Sequence, residues 1–463
     1  MILYECMHKI YFYNTLSRKK EEFKPIKKGE VGIYSCGPTV YWNQHIGNMY
    51  AFLVWDFLVR TLRYNDYKVK WVMNITDVGH NTTDGDGGED KMEKGAKREG
   101  LSVWEISKKY ERQFLDSMDL LNITRPDVLC RATEHIKEQI ELAKKIEKNG
   151  FTYMTKTGLV FDTSKFADYA KFANLKLEEM EAGARVEVDV EKKQVWDFLL
   201  WVTNQPNHIM KWRSPWGEGF PGWHLECSAM STKYLGEVFD IHTGGIEHIG
   251  VHHTNEIAQN YGAFGHQTVN YWLHNAWLTL KTGKMSKSVG DVYTVQDLVS
   301  KGYDVLAFRY LVLSSHYRKG LVFSDESLKS AELALNRLRK MVKNWPENGG
   351  VDNKYKREFS KRLGNDLATA EALALVWKLV KDNKVSDENK KATVLDFDKV
   401  LGLNLNKAEG NVIPKEVEEL ARVRQKARVD KNWQESDRLR IEIEEKGFLI
   451  EDLAQNRYRI VKK

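Results

Sequence analysis

Cysteine is scarce in this chain, with four in 463 residues, at positions 6, 36, 130 and 227. No two stand in a CxxC pair, and so few cannot build a disulfide framework, so any special role of a cysteine depends on partners elsewhere in the chain. Long apolar runs are missing as well; the longest falls far short of the roughly 18 to 20 residues that a membrane helix needs. The opening "MILYECMHKIYFYNTLSRKK" has no signal-peptide charge and cleavage pattern, so a cytoplasmic protein with no membrane partner is expected. There is no internal repeat and no low-complexity tract. Neither sign of charge dominates: 71 Lys and Arg stand against 65 Asp and Glu. The formal +6 suits a polyanionic partner and equally a mixed, solvated surface. The Gly- and Asp-rich stretch "GHNTTDGDGGEDK" (79–91) lacks the ligand spacing of a calcium loop and reads as a mobile loop.

What is present is enough apolar material, 42% of the residues, for two to four domains each with its own core. "EVGIYSCG" reads as a short buried strand. Ile46, Tyr50, Leu53, Phe57, Leu58 and Leu62 then recur at helical spacing, and "KVKWVMNIT" reads as a second strand. This succession predicts a parallel, Rossmann-like sheet whose ligands gather at the carboxyl ends of its strands. From about 124 to 210 the pattern changes to a helix, turns and short strands, whereas "DIHTGG" and "TVNYWLHNAWLTL" return to sheet-like runs. An insertion splitting one sheet domain accounts for that order. Beyond Ser324 the chain reads as helical almost throughout, ending in a basic, Trp-bearing helix pair after a loop near 404–414.

Three groups of residues carry chemistry. In "HIGN", His45 and Asn48 stand i, i+3 at a helix start, with Gly47 between them allowing a phosphate close to backbone N–H groups; a plain cap or surface face fits the same spacing. In "TGKMSKS" (282–288), Gly283 frees a loop bearing Lys284 and Lys287, mobile point charges suited to a pyrophosphate leaving group, although a solvated basic loop is the simpler reading. Cys36, Cys227, His252 and Glu256 form a plausible zinc set, the last two on one helical face at i, i+4. A buried cysteine filling apolar space and a hydrogen-bonded core histidine remain the alternatives.

Taken together, "CGPTVYWNQHIGN", "RVEVDVEKKQVWDF", "SPWGEGFPGWHLECSAM", "HHTNEIAQ" and "GKMSKS" resemble the cysteinyl-tRNA synthetases, a family of class I aminoacyl-tRNA synthetases, over nearly the whole chain. The resemblance implies an α/β fold: a Rossmann-like catalytic domain in two halves (1–123 and 211–290) split by a connective insertion (124–210). A stem-contact segment (291–330), an α-helical bundle (331–405) and a small anticodon-binding domain (406–463) would follow. It implies attachment of L-cysteine to tRNA(Cys) through a cysteinyl-adenylate made from ATP with Mg2+, by a monomer. One zinc ion would sit on Cys36, Cys227, His252 and Glu256 and select the cysteine thiolate, which removes the need for an editing domain. Thr76 and Trp223 would line the amino-acid pocket; His45, Asn48, Lys284 and Lys287 would stabilise the reacting phosphates, with Gly37 and Gly47 admitting the nucleotide. Arg428, Trp433, Asp437 and Asp452 would contact tRNA.

Several positions depart from the family pattern. Asn48 stands where a second histidine is usual, Thr243 where a glycine is, and Thr254 where an acidic residue is; the acidic run after Asp77 and the usual Gly-Thr-Trp finish are also altered. Two other readings stay open at this stage, a mycothiol-type cysteine ligase and a non-catalytic tRNA-binding paralogue.

Overall fold

The computed structural model describes residues 9–79, 90–175, 191–280, 283–284, 293–406, 414–430, 432–453 and 457–462. Its centre is a five-stranded sheet in which every neighbouring pair is parallel. The spatial order is Val269–Asn275, Phe239–Gly245, Glu30–Ser35, Lys68–Ile75, Val128–Arg131. Parallel strands are covered on both faces and therefore read as near-continuous apolar runs. Lys68–Ile75 shows this, with Val69 and every residue from Trp71 to Ile75 buried. Chain order reverses between Glu30–Ser35 and Phe239–Gly245, so the crevice outside their carboxyl ends is the switch point where ligands of such sheets bind. Ser35 and Thr243 pair across this junction in register, and their hydroxyl oxygens lie 2.7 Å apart.

The insertion folds as an antiparallel sheet in the order Thr152–Thr155, Gly158–Phe161, Phe198–Thr203, Gly217–Pro221, Trp212–Ser214. Two of its strands, Trp212–Ser214 and Gly217–Pro221, lie beyond residue 210 in the chain. Short strands separated by tight turns give little signal of which later strand they pair with. Gly217–Pro221 delivers the chain directly to the helix Trp223–Leu235. Of the Gly/Asp-rich segment expected to be a loop, residues 80–89 lie outside the described residues.

Four helices, Asp325–Asn344, Asn353–Leu363, Thr369–Val380 and Asp387–Leu401, form the bundle. The helices Lys415–Val429 and Trp433–Glu445 pack on a hairpin, Phe448–Leu453 with Arg457–Lys462, around a small core of their own. Among the described residues, no helix is long and apolar enough to cross a membrane.

The helix Val305–Leu313, which precedes the bundle, is tied to the sheet domain by a buried ion pair. Asp56, on the helix Ile46–Tyr64, meets the Arg309 guanidinium at 2.6 Å, both side chains fully buried. Arg309 also donates to the carbonyls of Leu401, Leu121 and Asn122, so one cation ties three segments together. Arg309→Ala is expected to lower stability by about 3 kcal/mol, the low end of the range for orphaning a buried charge, because Arg60 still pairs with Asp56 at 2.8 Å. Chemical denaturation of the pair reads this directly; a loss under about 1 kcal/mol would mean the lock is dispensable.

Candidate active site

Cys36 follows the first strand of the central sheet, and its N–H donates to the Thr243 carbonyl at 3.2 Å, holding it at the switch point. Cys227 lies on the helix Trp223–Leu235, while His252 and Glu256 share the helix His252–Phe264. These four residues come together. The Cys36 and Cys227 sulfurs are 4.0 Å apart, Cys36 Sγ is 3.9 Å from Glu256 Oε1, and that oxygen is 3.0 Å from His252 Nε2. A disulfide needs about 2.05 Å between sulfurs. Tetrahedral metal bonds of about 2.0 to 2.3 Å instead place ligand atoms about 3.3 to 3.8 Å apart. The donor set suits a zinc ion by chemistry, with two thiols, an imidazole and the wholly buried Glu256 carboxylate, and the three separations lie within about 0.3 Å of that spacing.

The electrostatics suit a cation. The Cys227 thiol is brought down to about 7, first by its contact with Cys36 and then, against burial, by His252. Cys36 moves the other way, pushed well up by burial and by the same contact, so the two share one ionisation between them. Burial opposes charge on Glu256 and His252, yet each overcomes it through the other: His242 and His252 hold the carboxyl down at about 2, and Glu256 with Cys227 raises His252 to about 10. A divalent ion bound here would take the place of those protons as the counter-charge.

His253 is the residue that sequence spacing missed. Its Nε2 lies 3.2 Å from Cys36 Sγ, and Cys36, His252, His253 and Glu256 offer ligand atoms all within 4.8 Å of one another. The doubled histidine of "HHTNE" was the available signal, but the i, i+4 rule picked out His252 alone. Behind the donors, His242 Nε2 holds Glu256 Oε2 at 2.9 Å, and His274 Nε2 lies 2.7 Å from His253 Nδ1. Such outer partners fix ring and carboxylate orientation. The two unusual threonines leave this set intact: Thr243 bonds Ser35, and the Thr254 hydroxyl donates to the Ile249 carbonyl at 2.7 Å.

Trp223 and Thr76 border the same place. The Trp223 ring centre is 4.5 Å from that of His252, and the Thr76 hydroxyl donates to Glu226 Oε2 at 3.0 Å, one residue before Cys227. Gly37 has a reason of its own within the fold. A Cβ there would stand 1.6 Å from the Asn74 carbonyl oxygen, while the Gly37 N–H donates to Asn74 Oδ1 at 2.8 Å.

At the other end of the crevice, His45 caps the helix Ile46–Tyr64. His45 Nδ1 accepts from the Asn48 N–H at 3.2 Å and Asn48 Oδ1 accepts from the His45 N–H at 3.3 Å, a reciprocal capping box with Gly47 inside it. Asn48 is thus a functioning cap residue. His45 also bridges to Thr294, and the Ile46 N–H donates to the Tyr293 carbonyl at 2.8 Å. Tyr293 and Thr294, downstream of the lysines, thus meet the start of the helix Ile46–Tyr64, the signature helix that opens on "HIGN". The lysine-bearing segment departs from a small sheet in which Gly283 and Lys284 pair with Leu280 and Thr279. Lys287 lies outside the described residues.

In the C-terminal unit, Asp452 receives Arg424 through both oxygens, at 2.8 and 3.0 Å, and Arg428 at 2.9 Å. The Arg428 guanidinium sits 6.0 Å from the Trp433 ring centre, Trp433 is 57% exposed, and Asp437 is exposed on the same helix. Arg428, Trp433 and Asp452 are brought together, with the buried Arg424 as the anchor that charge patterning did not single out.

A family model described as the catalytic domain of class I (C) tRNA synthetases matches residues 22–333. Cysteine–tRNA ligase 1 of Burkholderia lata is 46% identical over 448 residues, covering 96% of this chain and 95% of that protein. Cysteine–tRNA ligase of Treponema denticola is 43% identical over 484 residues, covering 96% and 97%. Among solved structures, a Mycobacterium tuberculosis methionyl-tRNA synthetase in complex with methionyl-adenylate superposes with a TM-score of 0.54 at 15% identity, over 81% of this chain and 90% of that one. At that identity the likeness is one of fold.

Proposed function

Because the chain belongs to the class I tRNA synthetases, among the cysteine–tRNA ligases, we propose that it attaches L-cysteine to tRNA(Cys) by way of a cysteinyl-adenylate formed from ATP and Mg2+. The observation that supports this most is the meeting of Cys36, Cys227, His252 and Glu256 at the switch point of the sheet. These residues would hold a zinc ion, which would supply a soft Lewis acid favouring a thiolate over a serine hydroxyl. Trp223 and Thr76 close the sides of the amino-acid pocket, and Gly37 and Gly47 let the nucleotide approach the backbone. The cysteine carboxylate attacks the α-phosphate of ATP, and pyrophosphate leaves. His45 and Asn48, at the positive end of a 19-residue helix, face the phosphates, and Lys284 and Lys287 neutralise the leaving group. The reaction is one of positioning and charge stabilisation, with no side-chain nucleophile.

The basic helix pair with Arg428, Trp433, Asp437 and Asp452 offers an exposed aromatic and an arginine to single-stranded anticodon bases. The domain division set out from the sequence, a monomeric state and a cytoplasmic location belong to the same proposal. Neither a mycothiol-type ligase nor a binding-only paralogue gains support, since the relatives named above match over 96% of this chain, its C-terminal region included. The test is cysteine-dependent ATP–pyrophosphate exchange run beside charging of unfractionated tRNA, with serine as control. Charging with cysteine alone is expected; exchange without charging would point to the small-molecule ligase, and silence in both to the paralogue.

A further inference from the structure

The loop that carries the chain into the signature helix, residues 39 to 44, is braced from outside the sheet. Arg98, in the last turn of the helix Lys91–Glu99, lays its guanidinium 3.4 Å from the centre of the Trp42 ring. The same helix presses onto the loop at Gly95, where a Cβ would stand 3.1 Å from the Tyr41 carbonyl oxygen and 3.3 Å from Ile106. Arg98 is itself aimed, donating to Glu99 Oε1 at 2.8 Å and to the Tyr110 hydroxyl at 3.1 Å. Glu99 in turn takes the Lys109 ammonium at 2.5 Å. Within the loop, Gln44 Nε2 donates to the carbonyls of Thr39 and Trp42 at 3.2 and 3.3 Å, and His45 follows directly. The brace is thus continuous: Glu99 and Tyr110 orient Arg98, Arg98 covers Trp42, and the Trp42 backbone closes on the side chain beside His45.

We propose that Arg98 is a positioning residue for ATP activation, holding Trp42 so that the signature loop presents His45 and Asn48 to the phosphates in one fixed conformation. This rests on the reading of His45 as a phosphate contact. A guanidinium stacked over an indole face is enough for a several-fold to roughly tenfold effect on a pre-organised step. Lysine, a point charge without the planar fork, replaces it incompletely. Arg98 bears on the Trp42 end of the loop, next to His45, whereas the Thr39–Val40 end is held separately by Thr76, so its loss is expected to act on ATP more than on cysteine.

The experiment is steady-state ATP–pyrophosphate exchange on the full-length, zinc-loaded enzyme, with Arg98→Ala, Arg98→Lys, Trp42→Ala, the double variant Arg98→Ala with Trp42→Ala, and His45→Ala as reference. The expected result is a drop of about tenfold in kcat/KM for ATP in Arg98→Ala, partial recovery in Arg98→Lys, and KM for cysteine and zinc content unchanged within about twofold. The double variant should be no worse than Trp42→Ala alone, since both remove one stack. Unchanged ATP kinetics in Arg98→Ala, equal losses toward ATP and cysteine, or additive losses in the double variant would each overturn the proposal. His45→Ala separates the two levels: if it keeps full exchange, the phosphate role of the signature fails and the brace with it. If His45→Ala is inactive while Arg98→Ala is normal, only the brace fails.

Discussion

Cys227→Ser is expected to take the zinc content of the purified protein from about one ion per chain to near zero, and with it the choice of cysteine over serine. A site built around a distinctive polar group rejects the analogue lacking it by roughly 10⁴ to 10⁵, and removing the basis of that choice should bring the preference to within about tenfold. The hydroxyl occupies nearly the same space as the thiol, so packing survives the change. What is lost is a soft donor that ionises near neutrality: Cys227 sits at about 7, whereas a serine hydroxyl stays protonated. Glu256 and His252 remain, buried and 3.0 Å apart, with Cys36 and His253 beside them, but only one thiol is left and burial pushes it upward, so the expected loss of zinc also tests whether His253 can stand in for Cys227. Metal analysis and a thermal melt of the same sample decide the matter together. Stoichiometric zinc retained by Cys227→Ser would falsify the ligand assignment, whatever the activity.

Lys284→Ala and Lys287→Ala should each slow adenylate formation by about 10² to 10³-fold, the usual loss when one preorganised charge is removed from a transition state. Cysteine affinity and zinc content should stay within about twofold, because the lysine segment is anchored away from the thiol site. Its entry pairs with the strand Leu278–Leu280, and its exit is tied to the signature helix through Thr294 and Tyr293. The second anchor lies at the start of the helix Ile46–Tyr64, where the phosphates of ATP are proposed to lie. Single-turnover adenylate formation, measured beside equilibrium binding of cysteine, separates the two effects. Equal losses in both would mean that the substitutions damage the fold and that the lysines do not act on the leaving group.

Much of this was legible along the chain. Short apolar runs gave the strands Glu30–Ser35 and Lys68–Ile75, and apolar residues at helical spacing gave the helix between them. The spacing of His252 and Glu256 placed two donors on one helical face, and "HIGN" read as a helix start with a cap as one of its explanations, which is the geometry His45 and Asn48 adopt. These are short-range statements, and within one helical turn or one strand the backbone period decides which side chains are neighbours. Even there the period could mislead by omission, since it passed over His253, one residue along and about 100° around the helix, which reaches Cys36 through the packing of that helix against the sheet.

The remaining features were decided by topology. Cys36 and Cys227 are 191 residues apart, and nothing in their spacing says that they meet. They meet because the strand Phe239–Gly245, after the insertion, pairs beside Glu30–Ser35 and carries its flanking helices to the same crevice. The same holds for Asp56 with Arg309 and for Trp42 with Arg98, where charge or aromatic character was visible but the partner was not. The sequence by itself determined the elements, the residue types able to perform the chemistry and the family in which they occur. Only the tertiary structure decided which of those residues share a site, because contacts across such distances follow from strand order and helix packing, which no local period encodes.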